Sequence, residues 1–242
     1  MTSKGFWLER MEDYKLNKAI LIQARLSSSR FPKKMLQKVG EVTLVEYVYH
    51  RCLKSKIADQ VIFITSTDES DDELYNLCNE KKIPVCRGSL NNVLERYIEC
   101  AVRARATIVC RVCGDSPFVD IDAIDESLKL FETDETPDYV STENTLNGFM
   151  SETIRLDVLK QIYSYPLSND DKEHVTKYIR ENREKFSTKF LNLDLNPVLL
   201  KDYTLTIDYE NDLKITNRII DRLDGFSFTS SDIIEILNTL EG

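Results

Sequence analysis

Strands that alternate with helices along nearly the whole chain predict an α/β fold on a mostly parallel sheet, covered on both faces. Three observations carry that prediction. Apolar runs such as Ala19-Ile20-Leu21-Ile22 are strand-sized and continuous, as strands buried on both faces are. Helical stretches separate the strands at the spacing of crossover connections. The chain has 242 residues, 42% hydrophobic and 30% charged, which is enough for one large core and too apolar for disorder.

The elements read in order as follows. Residues 1–17 are mostly polar or charged, carry the only tryptophan, Trp7, and read as an extension that docks on the body or mediates self-association. Residues 18–242 read as one domain. A buried strand covers 18–24, and a polar, basic loop runs on to about Lys34. A helix covers 45–54, and a β-branched strand covers 60–65. Ser70-Asp71-Asp72-Glu73 has the spacing of a capping box opening a helix to about Glu80. A short strand at 85–87 precedes a helix at 92–103. The strand at 107–112 ends in the loop Cys113-Gly114-Asp115-Ser116-Pro117. A helix at 122–131, a short strand at 139–141, a helix at 174–182, a late strand at 203–207 and helices from Asn211 and Ser231 complete the chain. Open sheets of this kind bind ligands at the carboxyl ends of their strands, so the loops after the first strand and after Val112 are where chemistry is expected.

Charge and cysteine content exclude some functions. The formal net charge of -9 argues against a general nucleic-acid binder, although a local basic loop can still hold one nucleotide. No segment approaches the ~20 apolar residues of a membrane helix and no signal peptide is visible, so a soluble cytoplasmic protein is the default. Cysteines 52, 78, 86, 100, 110 and 113 read as buried thiols. Cys110 and Cys113 form a C-x-x-C, but a zinc site would want a second pair or well-spaced histidines, and only His50 and His174 are present.

The loop after the first strand concentrates Arg25, Arg30, Lys33 and Lys34 with Ser27, Ser28 and Ser29 in ten residues of an acidic protein. Planar guanidinium groups, mobile ammonium groups, hydroxyls and backbone N–H groups together suit a polyphosphate. A solvated surface loop is the bland alternative. Neither G-x-G-x-x-G nor G-x-x-x-x-G-K-[ST] is present at this loop, which weakens a dehydrogenase or P-loop reading.

The stretch from Ile22 to Leu36 resembles the opening signature of the cytidylyltransferase family that includes the spore-coat polysaccharide biosynthesis protein F group. More distantly it is similar to CMP-sialic acid and CMP-Kdo synthetases. The signature I-Q-A-R-x-x-S-x-R-x-P-x-K-x-L is filled by Ile22, Gln23, Ala24, Arg25, Ser28, Arg30, Pro32, Lys34 and Leu36. Where the group commonly has glycine, this chain has Ser27 and Lys33. Further matches are Arg87-Gly88-Ser89 with Val93-Leu94-Glu95-Arg96-Tyr97, Arg111 to Pro117 for R-x-x-G-D-x-P, Glu173-His174-Val175-Thr176, and Thr206-Ile207-Asp208.

The resemblance implies a three-layer Rossmann-like nucleotidyltransferase fold. It also implies attack of an acceptor oxygen on the α-phosphorus of a nucleoside triphosphate, CTP by preference, in a surface-glycan pathway. It implies Mg2+ or Mn2+ on Asp115 and Asp208, with Arg25, Lys34 and Asp115 as the catalytic set. The nucleotide would lie against Gln23, Ala24, Arg25, Ser28, Ser29, Arg30, Lys34, Arg87, Gly88, Ser89 and Gly114. Glu152, His174 and Met150 would face the acceptor, a sugar or small acidic or phosphorylated molecule. Relatives often carry G-x-D-x-E over 148–152; here Met150 stands where the acid would be, which implies a different acceptor. Other readings of the same residues stay open. Asp115 also suits a turn, Asp208 an N-cap and His174 a helix cap. A glycosyltransferase, a sugar-1-phosphate guanylyltransferase or a non-catalytic nucleotide binder would share the fold, and a homodimer is compatible with it.

Overall fold

The structure, a computed structural model, describes residues 16–28, 30–133, 135–193 and 203–240. The expected N-terminal extension therefore lies, up to residue 15, outside the described residues.

Strand β1 (Lys18–Gln23) pairs in parallel with β4 (Gln60–Ser66) on one side and β6 (Ile108–Cys113) on the other. Strand β5 (Val85–Gly88) extends this parallel half beyond β4. On the far side, β8 (Glu152–Arg155) runs antiparallel to β6, β7 (Tyr139–Glu143) runs antiparallel to β8, and β9 (Thr188–Asn192) lies parallel to β7 at the edge. The seven-stranded order is β5-β4-β1-β6-β8-β7-β9. A separate hairpin, β2 (Lys38–Val39) with β3 (Val42–Thr43), leads into α1 (Leu44–Cys52).

Successive β1 residues point into two different cores, which is why this strand reads as an unbroken apolar run. Ile20 and Ile22 pack with α1, α2 (Asp72–Glu80), α4 (Ile121–Lys129), α8 (Glu210–Ile220) and α9 (Ser230–Leu240). Ala19 and Leu21 pack with α3 (Val93–Arg103), α5 (Leu156–Tyr163) and α7 (Lys177–Glu181). The result is the three-layer α/β architecture the sequence predicts, with a mostly parallel sheet. No described helix is long and apolar enough to cross a membrane.

Four local readings change. Strand β8 interrupts the parallel pattern; Glu-Thr-Ile-Arg is too short and polar to announce a strand by periodicity. The helix read over 174–182 begins only at Lys177, as α7, and a separate short helix, α6 (Asn169–Glu173), precedes it; between them stands a buried, β-branched residue with left-handed backbone, Val175 at φ +44°. The strand read over 203–207 forms no ladder; its one bridge joins Thr204 to Asn147. Cys86 and Cys100 form a disulfide between β5 and α3, with Cα atoms 5.9 Å apart, so only Cys52, Cys78, Cys110 and Cys113 are free thiols.

The 203–208 segment is held against the loop before β8. Leu205 N donates to Asn147 O (2.7 Å), and Asn147 Nδ2 donates to the hydroxyls of Thr204 and Thr206 (3.2 and 3.3 Å). Gly148 makes this approach possible. Its φ is +111°, and a Cβ there would stand 2.7 Å from the Leu205 carbonyl carbon. Gly148→Ala is expected to destabilise the fold by more than about 1 kcal/mol, since the new side chain meets both a forbidden backbone conformation and another backbone. A thermal melt should show a fall of several degrees; an unchanged midpoint would mean the segment is not held this closely.

Candidate active site

The carboxyl ends of β1 and β6 open onto one cavity of about 270 Å³. The loop leaving β1 forms its basic wall. Ala24 N donates to Ile64 O (3.1 Å), while Ser28 N and Lys33 N both donate to Leu26 O (2.8 and 3.3 Å), which curls the loop around Leu26. Leu26 N in turn donates to the fully buried Asp71 carboxylate (2.7 Å), whose other oxygen accepts from Ser66 N and Ser66 Oγ at the end of β4. The capping-box reading of this stretch is corrected accordingly. Asp68 caps a short 3-10 turn over Glu69–Asp71 before α2, and Asp71 points inward as the loop's anchor. Lys33 takes a left-handed backbone at φ +56°, a physical reason why glycine suits this position. That turn directs Lys34 inward and leaves Lys33 outside, paired with Glu73.

Across the cavity, Gly114 N donates to Gln23 O (2.8 Å), and a Cβ on Gly114 would stand 2.9 Å from the Ala24 side chain. Only glycine lets these two loops approach so closely. Asp115 follows, and its carbonyl accepts from Ile207 N (2.9 Å), which brings Asp208 beside it. Asp212, in the first turn of α8, accepts from Asp208 N (2.8 Å) and Tyr209 N (2.7 Å) and so sets the direction of Asp208. Tyr209, not Asp208, is the helix N-cap.

These elements converge on Lys34. Its Nζ donates to Asp115 Oδ2 (2.7 Å), to Ile207 O (2.7 Å) and to Asp208 Oδ1 (3.3 Å). Arg30 pairs with the same Asp208 oxygen at 2.8 Å and lies over the Tyr209 ring. Arg25 reaches Glu173 at 3.1 Å across the mouth. Gln23 Oε1 is buried with no hydrogen-bond partner and belongs to a residue lining the cavity, so an acceptor is left over there. Ser28 also lines the cavity, and its hydroxyl accepts from Phe31 N (3.3 Å). Burial pushes the Cys113 thiol up, so it stays neutral beside Asp115. Asp115, Asp208 and the Ile207 carbonyl present only oxygen, the donor chemistry that suits Mg2+ or Mn2+. Among the described residues no group of three or more acidic, histidine or cysteine side chains converges on one point, so two carboxylates are what this site has to offer a metal.

The other expected residues sit elsewhere. Ser29 lies outside the described residues. Arg87 donates to Ser66 O (2.6 Å) and Asp68 O (2.8 Å) and pairs with Asp72 (2.7 Å), tying the exits of β4 and β5 together. Gly88 packs against Arg96, whose buried guanidinium holds the Ser89 carbonyl twice (2.9 and 2.7 Å). His174 caps the end of α6 with Nε2 3.3 Å from Asp170, and Met150 is exposed. Neither lines the cavity. Glu152 is buried in a network: it accepts from Arg111 (2.6 Å), from the Tyr139 hydroxyl (2.5 Å) and from Thr176 Oγ1 (2.8 Å). Burial alone would raise its carboxyl, but Arg111, then Tyr139 and Thr176, hold it below the ordinary carboxylate range. The left-handed turn at Val175 lets Glu173 face the mouth while Thr176 reaches this network.

Sequence reasoning assigned no role to Asp71, Arg96 or Asp212. For Asp212 a signal existed in its place three residues after the N-cap, where an acid reaches back to the cap backbone. For Asp71 the apparent capping box masked it.

A cytidylyltransferase family model matches residues 19–235. The chain is 30% identical over 224 residues to the spore coat polysaccharide biosynthesis protein SpsF of Bacillus subtilis, covering 90% of this chain and 92% of that one. Over 114 residues it is 29% identical to the 3-deoxy-manno-octulosonate cytidylyltransferase of Flavobacterium johnsoniae, 47% of this chain and 46% of the other. The solved structure of a cytidylyltransferase from Leptospira borgpetersenii superposes with a TM-score of 0.87 at 26% identity, over 94% of this chain and 96% of that one.

The Glu152 network generates a pH test. Glu152→Gln leaves Arg111 buried without its counter-charge and is expected to cost about 3–5 kcal/mol at neutral pH. Because the folded carboxyl titrates below its unfolded value, its contribution is complete above the ordinary carboxylate range and is lost as pH falls through the depressed folded value. Denaturant unfolding of wild type and variant should therefore converge as the solution is acidified below about pH 4. A gap independent of pH would sink the ionised assignment.

Proposed function

The chain belongs to the cytidylyltransferase family of nucleotidyltransferase enzymes, and from that premise we propose that it transfers a cytidylyl group from CTP to an acceptor oxygen, releasing pyrophosphate. The observation that carries this reading is the convergence of Lys34, Arg30 and Arg25 with Asp115 and Asp208 around one cavity at the carboxyl edge of the sheet. The acceptor oxygen forms a bond to the α-phosphorus, and the bond from that phosphorus to the bridging oxygen of the pyrophosphate breaks. Negative charge grows on the phosphoryl oxygens and on the leaving group. Arg25, Arg30 and Lys34 supply fixed and mobile positive charge to the triphosphate. Asp115 and Asp208 would hold Mg2+ or Mn2+, which when bound adds positive charge at the phosphoryl oxygens.

The free Gln23 Oε1 offers an acceptor for an amino or hydroxyl group, such as the cytosine amine or a ribose hydroxyl. Ala24, Ser28, Ser29 and Gly114 would border the nucleotide, with Arg87, Gly88 and Ser89 toward its base side. The acceptor is a sugar or small acidic or phosphorylated molecule, met by the side carrying His174 and Met150, which the buried Glu152 network supports from beneath. Met150 cannot bind a hydroxyl or amine as an acid would, which supports an acceptor unlike that of relatives with the acid. A role in surface-glycan assembly in the cytoplasm fits this chemistry, and a homodimer is compatible with it.

A pyrophosphate-release panel tests the reading: four nucleoside triphosphates with Mg2+ against sugar-1-phosphates, nonulosonates and small phosphorylated metabolites. CTP with one acceptor class should release pyrophosphate. Release of a nucleoside mono- or diphosphate from a nucleotide-sugar instead would replace cytidylyl transfer with glycosyl transfer. With the productive pair, Asp115→Asn should lower kcat by at least about 10²–10³. Its melting temperature should move little, because the main-chain bond from Ile207 N to residue 115 and an oxygen facing Lys34 both remain. Near-normal turnover would remove Asp115 from the mechanism.

A further inference from the structure

Lys34 is itself built as the occupant of a cation site. An ammonium group has three N–H donors, and three oxygens meet them here: Asp115 Oδ2, the Ile207 carbonyl and Asp208 Oδ1. The side chain is 10% exposed, so little of this charge is screened by water. With Arg30 on the second oxygen-bearing partner, Asp208, the cluster holds two negative and two positive charges and is balanced without any metal. A divalent ion entering the same pair of carboxylates would face an ammonium already in contact with both.

We infer that Lys34 is an internal placeholder for the metal. In the metal-free protein its ammonium stands between Asp115 and Asp208, and it leaves them for the triphosphate when metal and nucleotide arrive together. This rests on the reading that Asp115 and Asp208 are the metal ligands. Its consequence is a strong, reciprocal coupling. The free ion binds weakly, because nothing draws Lys34 away. The free triphosphate binds weakly too, because Lys34, Arg30 and Arg25 are held on Asp115, Asp208 and Glu173. Each partner removes the charge that excludes the other. A site of this design does not fill with free metal between turnovers, and the nucleotide enters as its metal complex.

Mn2+ binding to the full chain, followed by electron paramagnetic resonance and water-proton relaxation, tests this without turnover. Without nucleotide, Lys34→Met should bind Mn2+ at least about tenfold more tightly than wild type, within the 5–150-fold usual for coupled sites. Lys34→Met/Asp115→Asn should lose that gain. Mn2+ should also raise the melting temperature of Lys34→Met by several degrees and leave wild type unmoved, a readout that serves even if the variant folds poorly without metal. Wild type should show strong relaxation enhancement only when CTP is added with the ion. Equal Mn2+ affinity in wild type and Lys34→Met, with the ion bound in both, would overturn the placeholder and leave the metal-site reading intact. No protein-bound Mn2+ in either, with or without CTP, would overturn both.

Discussion

One buried ammonium joins three parts of the chain that are far apart in sequence. Lys34 comes from the loop after β1, Asp115 from the turn after β6, and Ile207 and Asp208 from the segment before α8. Little regular secondary structure holds these parts: Lys34 opens a three-residue 3-10 turn (Lys34–Leu36), the turn after β6 is short, and among the described residues the late segment has one bridge, from Thr204 to Asn147. Their common meeting point is an ion cluster, and a lysine with all its donors used is a more directional tie than apolar contact would be. The same cluster places opposite charges where a polyphosphate and its counter-ion could exchange with them.

Around this tie the protein spends acidic side chains on backbone amides. Asp71 holds Leu26 N at the centre of the basic loop, and Asp212 holds Asp208 N and Tyr209 N. Neither lines the cavity itself. Each fixes a main-chain position from which a functional side chain departs. That is how a loop can carry precise chemistry without being a helix or strand, because buried amides left unpaired would cost about 1–3 kcal/mol each. The Glu152–Arg111 pair with Tyr139 and Thr176 plays a comparable part on the other side, beneath the turn at Val175 that turns Glu173 toward Arg25. A β-branched residue with φ +44° carries strain on the order of 1–3 kcal/mol, and it persists because Thr176 on one side and Glu173 on the other are both engaged.

The amino-acid sequence by itself determined the α/β class, the parallel half of the sheet, and the two loops where charge gathers. These are local or periodic properties: continuous apolar runs for doubly buried strands, helical spacing between them, and an excess of cations in ten residues. The motif Ile22 to Leu36 and the aspartates at 115 and 208 were singled out through their resemblance to the family's motifs, since spacing along the chain could not pair the two acids. Only the tertiary structure decided that Lys34 meets both Asp115 and Asp208, that Asp71 anchors Leu26, that Glu152 is consumed by Arg111, and that Cys86 meets Cys100. Each of those outcomes depends on which side of a loop, a strand or a helix faces a residue 14 or more positions away, and chain spacing carries no information about such a meeting.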